Sequence, residues 1–220
     1  MLSRLFDRLR GRRAATPLTG AHALEAALQK PVEETDCTTL VPIIVPGGAM
    51  DGWPGPIVPI QGAPFAVAWA TMPGTHLFVY VSGEQADFWE RTGADWRGEA
   101  MRNLARIAAE SPWKGQKDDA EGRPFVLALL TDDAIGPSRL LLPHLYEDML
   151  GPGYCVAIPE RTCAIAYRSS LGDDERADVD GMIEGCFEHG TEPMSLERFD
   201  PRVFWTFGDP RATGSNAERR

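Results

Sequence analysis

The sequence predicts an α+β fold: a mainly antiparallel sheet with packed helices, preceded by an N-terminal amphipathic helix. Three observations carry this. Strand-like runs come in pairs across short turn-forming segments, Phe65–Thr71 with His76–Ser82 and Tyr154–Ile158 with Cys163–Arg168. Runs with a 3.6-residue apolar period lie between them, the clearest at Gly98–Glu110. Strand pairs interspersed with helices in this way describe helices packed on an antiparallel sheet. The chain has 220 residues, 43% of them hydrophobic and 25% charged, which excludes disordered, collagenous and cysteine-stapled classes. A chain of this size buries roughly 70% of its unfolded surface, enough for one good core without disulfides or metals.

The elements follow in order. Met1–Arg10 places Leu2, Leu5, Phe6 and Leu9 at i, i+3, i+4 and i+7 with arginines between them, a basic amphipathic helix. Such a helix either meets an anionic membrane surface or a partner protein, or packs on its own domain or a neighbouring subunit. Gly11–Leu18 reads as a linker, and Ala21–Gln29 as a short helix ended by Pro31. Thr39–Val45 is β-branched and predicts a strand, at a sheet edge because of Pro42. Pro46–Pro64 holds five prolines and five glycines. It predicts a long ordered loop with Trp53 against the core, and Pro56-Ile-Val-Pro59 also fits the P-x-x-P pattern of polyproline ligands.

Beyond it, Met72-Pro73-Gly74-Thr75 predicts a four-residue hairpin loop. Helices are expected at Glu84–Glu90 and at Gly98–Glu110, the latter burying Ala100, Met101, Leu104, Ala105 and Ala108. Lys114–Gly122 reads as a polar turn and Phe125–Thr131 as a strand. Ser138–Leu150 has an apolar face, but Pro143 kinks or splits it. The second hairpin turns at Pro159–Thr162, in a register that opposes Ile158 to Cys163 and Cys155 to Ala166 and so argues against a Cys155–Cys163 disulfide. Asp173 or Asp174 caps a helix that buries Val179, Met182, Ile183 and Cys186, with Gly181 and Gly185 weakening it. Val203–Phe207 reads as a closing aromatic strand. The expected organisation is a basic helix at 1–13, a helix, edge strand and Pro/Gly-rich loop at 14–64, an α+β domain at 65–210, and a frayed tail at 211–220.

The succession of the His76–Ser82 strand, the helix with Ala100-Met-Arg-Asn-Leu-Ala-Arg, and Phe125–Leu130 followed by Ser138-Arg-Leu-Leu-Leu resembles a known family. Cys155-Val-Ala-Ile-Pro-Glu-Arg, the Cys163–Tyr167 strand, a helix and Pro193-Met-Ser-Leu continue the likeness, with an echo in Leu40-Val-Pro-Ile-Ile. In these features residues 76–207 resemble the YtpQ-like family of bacterial proteins. Members of that family carry Arg-Asp in the second hairpin, where this chain has Arg161-Thr162. The resemblance implies a cytoplasmic bacterial protein and carries over no activity.

Charge and chemistry narrow the function classes. Five Arg and one Asp give residues 1–13 a local +4, and residues 211–220 stand at +2, so the total of −10 leaves −16 for residues 14–210. A body so acidic repels phosphate backbones, which argues against nucleic acid as a partner. Arg161, beside Glu160 at a hairpin tip, is the one candidate binding residue of the body, an anion-binding fork or a structural hydrogen-bond donor. Asp178-Val-Asp-Gly imitates a calcium loop, but Arg176 and Phe187 fall at ligand positions. Ser138 lacks a nucleophile elbow and reads as a helix cap; His22, His76, His144 and His189 are scattered. Asp118, Asp119, Glu121, Asp132 and Asp133 could gather a divalent cation or simply be solvated.

No phosphate-binding loop occurs, and Cys37, Cys155, Cys163 and Cys186 form no zinc spacing, so no cofactor and no metal are expected. No signal peptide or membrane span is present, which predicts a cytoplasmic setting. The leading expectation is a non-catalytic protein-interaction or binding module that meets a partner protein or itself. The alternative is a hydrolase or other enzyme whose site, metal-assisted around Asp132 and Asp133, is assembled from dispersed residues.

Overall fold

The structure, a computed structural model, describes residues 37–74 and 77–207. The helices expected at 1–10 and 21–29, and the tail from 211, lie outside the described residues. Within them the fold is α+β, as expected: two antiparallel sheets and four α-helices. The first sheet is built on β3 (Phe65–Gly74), which pairs on one side with β1 (Leu40–Pro46) and on the other with β2 (Ile57–Pro59) and β4 (Leu77–Tyr80). The second runs β5 (Gly115–Asp118), β6 (Pro124–Leu130), β8 (Cys163–Tyr167), β7 (Cys155–Glu160), β9 (Arg198–Phe199). Because β1 and β2 belong to the sheet of β3, the expected boundary at 64/65 cuts through one structural unit.

Alternation sorts the second sheet. Leu127, Ala166 and Val156 align across β6, β8 and β7 and enter the core shared with the first sheet. Ala128, Ile165 and Ala157, one residue on, face a separate cluster with Val179, Met182, Ile183 and Cys186 of the last helix, α4 (Asp173–His189). Both faces are therefore buried, which is why Phe125–Leu130 is apolar without interruption.

Local sequence explains the first two helices. In α1 (Gly83–Arg91) the Ser82 hydroxyl accepts from Gln85 N–H at 3.2 Å, and the Gln85 side chain accepts from Ser82 N–H at 2.9 Å, a reciprocal capping box. In α2 (Trp96–Glu110) Asp95 accepts from Gly98 N–H at 3.1 Å. The expected buried stripe of α2 needs two changes: Ala105 is exposed, and Asn103 is buried because its amide donates to the Leu40 and Cys37 carbonyls, at 2.9 and 3.1 Å. Those bonds cover the outer edge of β1. Ile44 N–H, on the same edge, donates to Ser138 Oγ at 3.4 Å. Pro42 falls midway between Leu40 and Ile44 and so shares their outward orientation, where its missing N–H leaves nothing unpaired.

Several sequence expectations are corrected. The first hairpin has no four-residue loop: β3 continues through a bulge after Thr71 to pair Gly74 with Leu77. The Pro/Gly-rich stretch is not loop throughout, since its P-x-x-P forms β2, while Trp53 does meet the core edge-on to Tyr80 at 4.8 Å. The polar segment 114–122 contains β5. Pro143 splits the leucine-rich run into a 3-10 turn at Pro137–Leu141 and a single helical turn, α3 (Glu147–Leu150). The second hairpin bulges after Ala157 and opposes Glu160 to Cys163 and Cys155 to Tyr167; all four cysteines are free thiols. Gly172, not an aspartate, caps α4, its N–H donating to the Glu175 carboxylate at 2.9 Å. Val203–Phe207 lies in a 3-10 turn, Pro201–Phe207, that brings Phe204 onto Phe65 and Phe199.

The 3-10 turn after Gly136 brings in Arg139, which is fully buried. It donates to both Asp133 carboxylate oxygens at 3.2 and 2.7 Å, and its Nε donates to Ser111 O at 2.9 Å. Gly136 is required for this approach, because a Cβ there would sit 1.7 Å from Leu129 O. Burial pushes the Asp133 carboxyl up, but Arg139, Thr131 and the Ile135 N–H outweigh it and hold it below the usual carboxylate range. Asp119, which accepts from Arg123 N–H and pairs with Arg168, is held at about 2.

Two outcomes follow. Asp133→Ala leaves Arg139 buried and unpaired, and should lower stability by about 3 kcal/mol, read as a lower urea midpoint at unchanged slope. Since the folded pKa values of Asp133 and Asp119 are depressed, their stabilisation is complete above roughly pH 4 and disappears as pH falls through the folded values. Melting temperature should therefore drop between roughly pH 4 and 2, and Asp119→Asn should flatten that limb.

Candidate functional site

The carboxylates that could have held a cation are dispersed among arginines and lysine. Asp119 lies 2.9 Å from Arg168 and 3.0 Å from Arg123, Asp133 is held by Arg139, and Asp132 pairs with Lys114. Among the described residues no three His, Cys, Asp or Glu side chains come together as a metal site. Ser138 is buried and accepts from β1, so it is neither a cap nor an exposed nucleophile. His144, at φ 63°, lies between the two halves of the split run with its Nδ1 on Glu147 and its ring 4.6 Å from that of Trp205. Leu2, Leu5, Phe6 and Leu9, the apolar stripe of the expected N-terminal helix, fall outside the described residues.

Arg161 is placed at the contact between the two sheets. Its turn is tight: Glu160, buried at the end of β7, accepts from Thr162 N–H at 2.7 Å and from Thr162 Oγ1 at 2.6 Å. That clamp aims the Arg161 side chain at β4. The guanidinium donates to Tyr80 Oη at 2.8 Å, lies 3.1 Å from Glu192, and stands 5.7 Å from the centre of the Phe78 ring. The fork is thus engaged by the protein's own groups. No periodicity in the sequence pairs residue 161 with residue 80, because the contact joins two sheets 81 residues apart in the chain.

The strand Arg161 reaches is apolar and partly exposed at every position. Leu77, Phe78, Val79 and Tyr80 are each only half-buried, and among the described residues β4 pairs with β3 alone. Val81 N–H donates to Trp69 O at 2.9 Å, so the alternate positions Tyr80 and Phe78 turn their backbone groups away from β3. β2 lies on the same flank of β3, and its Val58 is 38% exposed; Met50, one turn earlier, is 39% exposed. Of the three large hydrophobic residues exposed among the described residues, two therefore lie by this flank. Exposed carboxylates flank it in sequence, Asp51 next to Met50, and Glu84 and Asp87 on α1 just after β4. A strand edge with free backbone groups, apolar side chains and acidic neighbours can add another strand. The sequence signal was Leu77-Phe-Val-Tyr80, apolar on both faces, bounded by a glycine turn and a helix cap.

No family profile, curated protein or solved structure matches the chain. Among the described residues no helix is long and apolar enough to cross a membrane.

Arg161→Leu should free β4 rather than abolish folding. Amide exchange of Val79 and Val81, whose N–H groups face β3, should quicken by about tenfold, the worth of one charge-assisted hydrogen bond. Unchanged exchange would show that Arg161 does not restrain the strand.

Proposed function

We propose that this chain is a non-catalytic interaction module whose β4 flank receives an extended segment of a partner polypeptide carrying apolar and basic side chains. The observation that carries the reading is the half-exposed apolar edge strand, restrained from the side by Arg161 and paired among the described residues with β3 alone. Backbone hydrogen bonds along such an edge supply affinity, and alternate side chains meeting Val58, Met50 and Val79 supply selectivity. Charge favours a basic partner: residues 37–207 contain 13 Lys and Arg against 25 Asp and Glu, a net −12. The alternative of a metal-assisted enzyme loses support because Asp132 and Asp133 are engaged by Lys114 and Arg139. A bacterial setting and kinship with the YtpQ-like family, which rest on the sequence likeness, and a cytoplasmic setting are part of the proposal.

A displayed library of random nine-residue peptides, selected against the full chain, tests the reading. Enriched peptides should combine alternating apolar residues with Lys or Arg, and Val58→Asp with Val79→Asp should weaken them by at least about tenfold while circular dichroism stays native. Failure to enrich any peptide, or binding indifferent to both substitutions, overturns it. The basic N-terminal helix is proposed as a second contact, to a partner, to another copy or to anionic lipid. Deleting residues 1–13 should then reduce either oligomer mass or co-sedimentation with anionic liposomes, and no change in either removes it.

A further inference from the structure

Two thiols lie side by side on the opposite side of the second sheet from β4. Cys163 begins β8 and Cys186 sits in the last turn of α4, 23 residues later, and their sulfurs are 3.5 Å apart. Both are free thiols, 3% and 6% exposed. A disulfide requires a sulfur separation of about 2.05 Å, so the two need to close by roughly 1.5 Å. The pieces that would move are a helix terminus and a strand terminus, whereas the strand centre at Ile165 is pinned by neighbours on both sides. We propose that Cys163 and Cys186 are a redox-active pair that small peroxides convert to an intrachain disulfide, fastening the end of α4 to the second sheet.

The order of attack follows from the hydrogen bond. Cys163 S–H donates to Cys186 Sγ, which favours deprotonation of Cys186 and raises the pKa of Cys163. The Cys186 thiolate attacks one oxygen of hydrogen peroxide, breaking the O–O bond; the sulfur becomes a sulfenic acid and the departing hydroxide takes up the thiol proton as water. Cys163 sulfur then attacks the Cys186 sulfur, the S–S bond forms, and the sulfenic hydroxyl leaves as a second water with the Cys163 proton. Two thiols are oxidised by two electrons, one peroxide is reduced, and two waters result. Cys155 does not compete for this bond: it opposes Tyr167 across β7 and β8, and burial pushes its thiol up.

The structure also gives the oxidised bond a lever. Glu160 pairs with Cys163 across the hairpin and clamps the turn that carries Arg161. Gly190, four residues after Cys186, packs on Glu160, where an added Cβ would lie 2.3 Å from Glu160 Cγ. Drawing Cys186 toward Cys163 therefore presses on the turn that carries Arg161, whose guanidinium holds Tyr80 of β4.

The test uses hydrogen peroxide on the full reduced chain, with glutathione in the same tube as a reference thiol. Intact mass should fall by about 2 Da, non-reducing peptide maps should show Cys163 joined to Cys186, and dithiothreitol should reverse both. Melting temperature of the oxidised form should rise. In Cys163→Ala the Cys186 sulfenic acid should persist and be trapped by dimedone, while Cys186→Ala should leave Cys163 unmodified. The wild-type map decides the matter even where a variant fails to fold. The proposal is overturned if both thiols survive after glutathione is consumed, or if the links formed involve Cys37, Cys155 or a second chain.

Discussion

Arg139 is the group on which the arrangement of the two sheets depends. It is a permanent cation with no exposure, and a charge in that position persists only with its hydrogen bonds complete. Those bonds reach Asp133 at the end of β6 and the Ser111 carbonyl at the end of α2. Its neighbour Ser138 accepts from Ile44 in β1. Two adjacent residues thus join the edge of the first sheet, the helix packed on it and the second sheet. The 3-10 turn that holds them owes its position to Gly136, the one residue type that fits under Leu129 O. A hydrophobic replacement for the pair could fill the space as well, but it would not specify this orientation; the bidentate geometry does.

The same constraint divides the first sheet into a closed edge and an open one. β1 is an edge strand that nevertheless is almost wholly buried; Asn103 and Ser138 engage the outward groups of Leu40 and Ile44, and Pro42 has no N–H to leave unpaired. Nothing comparable covers β4 among the described residues; Arg161 touches its side chains and leaves its length open. A long apolar edge left bare is an aggregation hazard, and natural sheets blunt such edges with charge, bulges or brevity. Here β4 is four residues long, pairs with a bulged stretch of β3 and is flanked by carboxylates. Those devices would limit the proposed pairing to a partner that tolerates the acidic surroundings, which favours a specific binding edge over a generic one.

The sequence shows this fold where burial imposes a period and hides it where contacts are few or distant. Gly98–Glu110 and Phe125–Leu130 were legible because packing on one stripe, or on both faces, leaves a direct trace in residue order. Pro42 at an edge was legible because proline lacks a donor. β2 and β5 were not: each is short, and β5 reads Gly-Gln-Lys-Asp because one side of an edge strand meets water. The Val203–Phe207 run is apolar, yet its pattern cannot separate a strand from a 3-10 turn of the same length. Bulges in β3 and β7 shifted the hairpin registers by inserting a residue without any change in composition. Of the candidate site, Arg161 was visible as a hairpin tip, but its partner Tyr80 was not, since side-chain contacts between sheets leave no spacing signal.

The charge distribution gains a structural meaning from the pairing. Of the 13 Lys and Arg in residues 37–207, ten lie within salt-bridge distance of a carboxylate among the described residues. The cations are thus mostly engaged inside the fold, at Arg139 and Arg168 in buried or half-buried networks and elsewhere in exposed pairs of small energetic weight. The carboxylates of residues 37–207 outnumber these cations by 12 and set the field at the surface. The proposed partner segment is therefore one that brings its own positive charge, and its association should weaken as salt screens that attraction over about 10 Å. In the proposed complex an apolar edge would supply affinity without direction and the acidic surface around it the direction, so that the two together would select a basic, extended segment over a neutral one.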